Sequence, residues 1–243
     1  MRYSDDVFGR AVLSWAQGST TPETLERDDG FTQVGAGPEV YLSGVRDWPG
    51  AERQSLRYLR GRVLDVGCGA GRVALELQRR GLDVVGLDSS PLAARAAKLR
   101  GVDEVWRTPL EGLHRSLADF DSIVLYGNNF GIFQTPERAR RILTDLARYA
   151  KPTALMFLES TNPYCGAAPG LDRTQYHRNK RNGVAPGQVR LRFHFESFVG
   201  SWFDWIYVSR RDLRNVVRGT GWRPRRFLGD ELSAPYVAVL ERT

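Results

Sequence analysis

Apolar residues recur along this chain in three rhythms, and each predicts a kind of element. Short runs of aliphatic and β-branched residues at 62–66, 83–88, 120–126 and 153–159, with a weaker one at 104–107, have the composition of strands buried on both faces. Helical spacing fills the gaps: Val73, Ala74, Leu75 and Leu77, then 91–100 opened by Ser90 and Pro91, then 136–149 capped by Thr135, with 51–60 leading into the first run. Strands that alternate with helices predict an α/β sheet of mainly parallel strands. The third rhythm has period two. Val189, Leu191, Phe193 and Phe195 alternate with Arg190, Arg192, His194 and Glu196, and residues 202–208 are expected to pair with that strand across Gly200.

The flanks follow the same rules. Val7, Phe8, Val12, Leu13 and Trp15 make an amphipathic N-terminal helix that Gly18 ends. Residues 26–50 are rich in turn formers and are expected as an ordered loop carrying Tyr41. Asn162-Pro163, Pro169-Gly170 and Pro186-Gly187 break up 161–188, which reads as an insertion. Ser209 caps a basic helix to Arg218, Gly219 and Gly221 close it, and 222–228 with 236–240 supply two last strands.

Length changes this picture little. A chain of 243 residues suits one α/β domain, divided here into a lid and lead-in helix (1–60), a cofactor half (61–160), a substrate cap (161–208) and a closing helix and hairpin (209–243). The longest apolar runs are too short for a bilayer, and residues 1–20 lack a signal-peptide core, so a cytoplasmic monomer or homodimer without membrane partners is expected. Two cysteines, Cys68 and Cys165, support neither a disulfide framework nor a multi-cysteine metal site, and no metal is expected. Charge is more informative by position. Residues 1–160 hold 21 basic and 21 acidic side chains, whereas 161–243 hold 14 and 7, so the net charge of +7 lies in the final third. An arginine-rich surface explains that better than nucleic-acid binding, because the aromatic interleaving of an RNA module is missing.

The chemistry concentrates at Arg62-Val63-Leu64-Asp65-Val66-Gly67-Cys68-Gly69-Ala70-Gly71-Arg72, a strand, a glycine turn and a helix start. Glycines at alternate positions let backbone approach a ligand, and the helix that follows points unpaired N–H groups at the same space. A dinucleotide loop would need its third glycine at 72, where Arg72 stands. Asp65 at the strand end repels a pyrophosphate and welcomes a cationic amine. Asp88 then ends the second strand 17 residues after Gly71, where an acid can take both hydroxyls of a ribose.

Asp65, Gly67, Gly69 and Gly71 match the Asp/Glu-x-Gly-x-Gly-x-Gly motif, and the chain resembles the class I S-adenosylmethionine-dependent methyltransferases. The resemblance implies a doubly wound seven-stranded sheet of order 3-2-1-4-5-7-6 with strand 7 antiparallel, an N-terminal helical lid and a β-hairpin cap after strand 5. It implies S-adenosyl-L-methionine as cofactor, held by Asp65, Gly67, Cys68, Gly69, Gly71, Arg72, Asp88 and Ser89. Pro109 and Leu110 fall where such proteins hold adenine, with Glu111 slightly later, and Tyr126, Gly127 and Asn128 fall on the loop that faces the methyl group. Gly127-Asn128-Asn129, His177 near Asn179, Pro186-Gly187-Gln188 and Trp202-Phe203-Asp204 also resemble a bacterial methyltransferase group.

Methyl transfer from a sulfonium needs a base only if the nucleophile must lose a proton. His177, Glu159 and His194 are the candidates, although His194 on an alternating strand could equally face solvent. Tyr41, Asn129, Tyr176 and Trp202 are candidate substrate contacts, and Tyr41 could equally be a buried aromatic plug. His114 is expected to be exposed rather than functional. The expected acceptor is an oxygen or nitrogen of a small metabolite, with RNA methylation and non-catalytic cofactor binding as the alternatives.

Overall fold

The computed structural model describes residues 5–113, 119–165, 172–230, 232 and 235–243. In chain order the elements are α1 (Val7–Ala16), β1 (Thr24–Arg27), β2 (Thr32–Val34), α2 (Gly37–Tyr41), α3 (Gly50–Ser55), β3 (Arg62–Val66), α4 (Arg72–Arg79), β4 (Asp83–Asp88), α5 (Pro91–Leu99) and β5 (Glu104–Arg107). There follow β6 (Phe120–Leu125), α6 (Pro136–Leu146), β7 (Ala150–Ser160), α7 (Arg173–Arg181), β8 (Gln188–Phe195), β9 (Phe198–Val199), β10 (Phe203–Ile206), α8 (Arg210–Val217), β11 (Trp222–Leu228) and β12 (Tyr236–Arg242). His114, and residues 166–171 of the insertion, lie outside the described residues.

A seven-stranded, mostly parallel sheet of the Rossmann-like kind is present, its strands in the order β11-β12-β7-β6-β3-β4-β5. β4 runs parallel to β5 and β6 to β7, while β12 lies antiparallel to both β7 and β11. The strands formed by continuous apolar runs are buried throughout: Val63, Leu64 and Val66 in β3, Ile123 to Leu125 in β6 and Ala154 to Leu158 in β7 are at most 5% exposed. Such runs belong in a sheet covered on both faces. The helices turn an apolar stripe to the core, as Val73, Ala74 and Leu77 do from α4.

A second sheet has the order β10-β8-β1-β2, with β9 paired to β8. It corrects two expectations. Residues 26–50 are not a loop: β1 and β2 form a hairpin through a turn in which Gly30 has φ +88, and α2 follows. Its strand character is set from afar, because β1 has one strongly apolar residue, Leu25, and takes its register from β8, where Leu25 faces Phe193. β10 does pair with β8 across Gly200, but the tight turn after β8 comes earlier. Phe195 pairs with Phe198 across Glu196 and Ser197, with Glu196 in the left-handed region at φ +53, so the hairpin closes tightly before Gly200.

By contacts the chain divides into two units. The first, Met1–Trp48, Leu64–Leu113 and Arg190–Phe203, contains the glycine turn, and its core joins Val7, Ala11, Val12 and Trp15 of α1 to Ala70, Ala93, Ala96 and Phe195. The second, Pro49–Val63, His114–Val189 and Asp204–Thr243, is built on β6, β7, β11 and β12. No helix among the described residues is long and apolar enough to cross a membrane.

Candidate functional site

In the first unit β3 delivers the chain into three left-handed glycines, Gly67, Gly69 and Gly71, with φ of +69, +54 and +79. A side chain at 69 would meet no atom within 4 Å, so open space lies over that backbone, whereas one at 71 would sit 2.4 Å from Val102 Cγ2. Gly69 leaves room for a ligand, and Gly71 permits close packing below it. Gly71 is also the cap position of α4 and has no side chain to offer, so the Asp65 carboxylate accepts from Ala74 N at 3.1 Å from inside β3. Asp65, 2% exposed, therefore caps a helix, where a negative charge complements the positive N-terminal end. Cys68 is a buried filler under the turn, its thiol held well above the usual range by burial and the nearby Asp88. Arg72 lays its guanidinium over the Trp48 ring at 4.8 Å.

Asp88, at the carboxyl end of β4, accepts from Gly69 N at 3.0 Å and from Ser90 N at 2.8 Å. It is half-buried, and burial pushes its carboxyl from 3.8 up to about 6 against the pull of those amides, with Asp6 adding a like charge. Ser89 beside it is exposed. After β5, Pro109 is exposed and Leu110 half-buried at the start of a short 3₁₀ turn.

The second unit repeats the device of an acid serving a neighbouring loop. β6 ends in Tyr126, 3% exposed and hydrogen-bonded through its hydroxyl to Ser55. Gly127 and Asn128 then take φ of +71 and +60, two successive left-handed residues, and Asn129 opens a 3₁₀ turn that buries Phe130 and Phe133. The Glu159 carboxylate, from the end of β7 and 2% exposed, accepts from Gly127 N at 2.9 Å and from Asn128 N at 3.3 Å. Thr161 Oγ1 donates to Asn128 Oδ1 at 2.8 Å.

A family model for a methyltransferase domain matches residues 63–153, which covers the glycine turn, Asp88 and the loop after β6. Residues 63–153 are an S-adenosylmethionine-dependent methyltransferase domain. It is 34% identical over 113 residues to a cypemycin N-terminal methyltransferase of a Streptomyces species, covering 45% of this chain and 46% of that one. It is 33% identical over 106 residues to a ubiquinone biosynthesis O-methyltransferase of Hahella chejuensis, covering 42% and 43%. The chain thus spans about half the length of the curated relatives it matches. Among solved structures, a methyltransferase from Bacteroides fragilis in complex with S-adenosyl-L-homocysteine aligns with a TM-score of 0.83, over 100% of this chain and 97% of that one. At 22% identity that is a likeness of fold.

The remaining candidates fall into three groups. Tyr41 stacks on Trp15 at 5.2 Å and meets Phe8 edge-on, in a cluster that Phe193 joins by stacking on Phe8. His194 pairs with Glu26, which also takes a two-pronged ion pair from Arg192, and Arg192 lies over the Trp202 ring at 4.5 Å. The Arg192 bond, and after it the His194 bond, hold the Glu26 carboxyl below its usual range. His177 is exposed on α7, its ring edge-on to Tyr176, which is edge-on to Tyr164. Asn179 is buried and gives its amide to the carbonyls of Ala185, Pro186 and Gln188, so it holds the α7–β8 connection.

Sequence reasoning missed Asp6, Arg100 and Thr161. Asp6, 2% exposed, caps α1 through Gly9 N and accepts from Ser90 Oγ at 2.7 Å and Leu92 N at 3.1 Å, which ties α1 to the turn that holds Asp88. An aspartate directly before a helical pattern was the available signal. Arg100 donates to Ala70 O at 2.9 Å and Leu42 O at 3.4 Å, and burial holds its guanidinium below the usual range. Neither Arg100 nor Thr161 stands in any local pattern that marks it.

Proposed function

We propose that this methyltransferase moves the methyl group of S-adenosyl-L-methionine to an oxygen or nitrogen of a small molecule. The observation that carries the proposal is Asp88: an acid at a strand end, bonded to Gly69 N and still half-exposed beside open space over the glycine turn. That arrangement suits a ribose whose hydroxyls donate to the carboxylate, and the open space over Gly69 leaves the cradle room for the cofactor. Asp88, Gly67, Gly69 and Ser89 would hold the sugar and the methionine end, with Pro109 and Leu110 beside the base. Bound S-adenosyl-L-methionine supplies an activated methyl on a sulfonium.

The chain itself has then to orient the acceptor and keep water away. The described part of residues 1–60 would serve as the lid, and α7 with β8 to β10 as the acceptor cap. His177 is the candidate to take a proton where the acceptor must lose one. The named relatives include an N-terminal methyltransferase and an O-methyltransferase, which supports both acceptor atoms.

Incubation with methyl-labelled S-adenosyl-L-methionine and separate panels of phenols, alkyl amines, short peptides and RNA tests this. Label on a small-molecule oxygen or nitrogen is the expected result. Label on RNA alone would overturn the acceptor class, and tight cofactor binding with no transfer to any panel would overturn the activity.

A further inference from the structure

We propose that Glu159 is a positioning residue that presets the loop after β6, and that it does not act as a base. The inference rests on the methyltransferase reading, in which that loop faces the methyl group. Gly127 and Asn128 both adopt left-handed backbone, at φ +71 and +60, and for asparagine that conformation is uncommon and has to be held from outside. The N–H groups of these two residues converge on one carboxylate.

In many proteins converging backbone N–H groups take a ligand. Here the protein meets them with its own carboxylate, Oε2 on Gly127 N and Oε1 on Asn128 N. Glu159 is 2% exposed with each carboxylate oxygen on a backbone amide, and it is this burial that keeps it from an acceptor's proton. The clamp has a second arm. Thr161, fully buried two residues later on the same strand exit, fixes the Asn128 side chain through Oδ1, which leaves the Asn128 amide nitrogen as the donor to be aimed. Gly131 N closes the turn on Asn128 O at 2.9 Å, and a side chain at Gly131 would strike the Trp205 ring, so the loop is braced from its far end as well. Backbone, side chain and turn of Asn128 are thus all set before an acceptor arrives, and Glu159 supplies the only charge in that clamp among the bonds described.

Glu159→Gln separates positioning from proton transfer. Glutamine keeps one acceptor oxygen but presents an NH₂ to an N–H, so one arm is lost while shape and volume stay. Hydrogen–deuterium exchange should show the amides of Gly127 and Asn128 opening about tenfold faster or more in Glu159→Gln than in the parent. S-adenosyl-L-homocysteine affinity should stay nearly unchanged, and kcat on any accepted phenol or amine should fall about 10- to 100-fold. The pH–rate profile should keep its shape at the lower plateau, because no titrating base has been removed.

Unchanged exchange at these two amides would overturn the inference, and so would a profile that loses its acidic limb. Thr161→Val, nearly isosteric, is the second variant: it should lower kcat with cofactor affinity kept, and wild-type kcat in it would also count against the clamp. If the wild type fails to bind S-adenosyl-L-homocysteine, the methyltransferase reading fails instead, and the exchange measurement still decides the role of Glu159.

Discussion

The glycine turn after β3 and the loop after β6 are built alike and used differently. Each leaves a buried parallel strand, each contains left-handed residues, and each is served by a carboxylate from the end of the adjacent strand, Asp88 for the first and Glu159 for the second. Asp88 accepts one amide of its loop, remains half-exposed, and has its carboxyl pushed up to about 6 by burial. Glu159 accepts two successive amides and is 2% exposed. The lesson is that an acid at a strand end is not by itself a ligand contact. Both acids already hold two backbone amides, Asp88 those of Gly69 and Ser90, so what decides is whether the carboxylate can still be reached.

The sharpest break in that comparison is Asp88→Ala. It removes the proposed ribose acceptor and orphans Gly69 N and Ser90 N, so S-adenosyl-L-homocysteine affinity should fall at least about 100-fold, or roughly 3 kcal/mol, in calorimetric titration. Acid should act on the same group more gently. Donating hydroxyls require the carboxylate, so affinity should be level above about pH 6 and fall about tenfold per unit below it, with a proton released on binding there. The sign for folding is opposite. Asp88 holds its proton more tightly in the folded chain than in the unfolded one, so its contribution to stability without ligand declines as pH rises from 3.8 to about 6 and is flat beyond.

Asp6 should produce a smaller and more diagnostic effect. Asp6→Ala loses the cap of α1 and the tie to Ser90, worth about 1–2 kcal/mol, which thermal unfolding would register as a drop of several degrees. Because its charge helps to hold the Asp88 carboxyl up, Asp6→Asn should also move the acid limb of cofactor binding to lower pH. A limb that stays in place would show that Asp6 only caps. His194→Ala should do least. Its ring belongs to a half-exposed ion group with Glu26 and Arg192, so stability should change by less than about 1 kcal/mol and turnover by less than twofold. A large loss of turnover would return His194 to the reaction.

What could be read from sequence follows from the range of the forces involved. The centre of the seven-stranded sheet was legible because β3, β4, β6, β7 and β12 are built on apolar runs that need burial on both faces whatever surrounds them. The glycine turn was legible because alternate left-handed glycines tolerate no other residue there. The β1–β2 hairpin was not legible, since Thr32–Val34 is fully exposed and β1 is held by its register with β8, about 165 residues away. The same distance in sequence hid the role of Glu159. As a residue at the end of a strand it looks like any acid on a ligand rim, and only the fold shows that it is buried against the amides of Gly127 and Asn128. Asp65 illustrates the point at short range: its place in the motif suggested a ligand's amine, and the fold adds that its Oδ2 accepts from Ala74 N at the bare N-terminus of α4.

The most direct measurement is a calorimetric titration of S-adenosyl-L-homocysteine into the wild type, Asp88→Ala and Glu159→Gln at neutral pH. The account predicts binding by the wild type, none detectable by Asp88→Ala, and affinity within about threefold of the wild type for Glu159→Gln, a difference under 1 kcal/mol. Tight binding by Asp88→Ala, or loss of binding by a folded Glu159→Gln, would contradict it, because the two acids would then have exchanged the roles assigned to them.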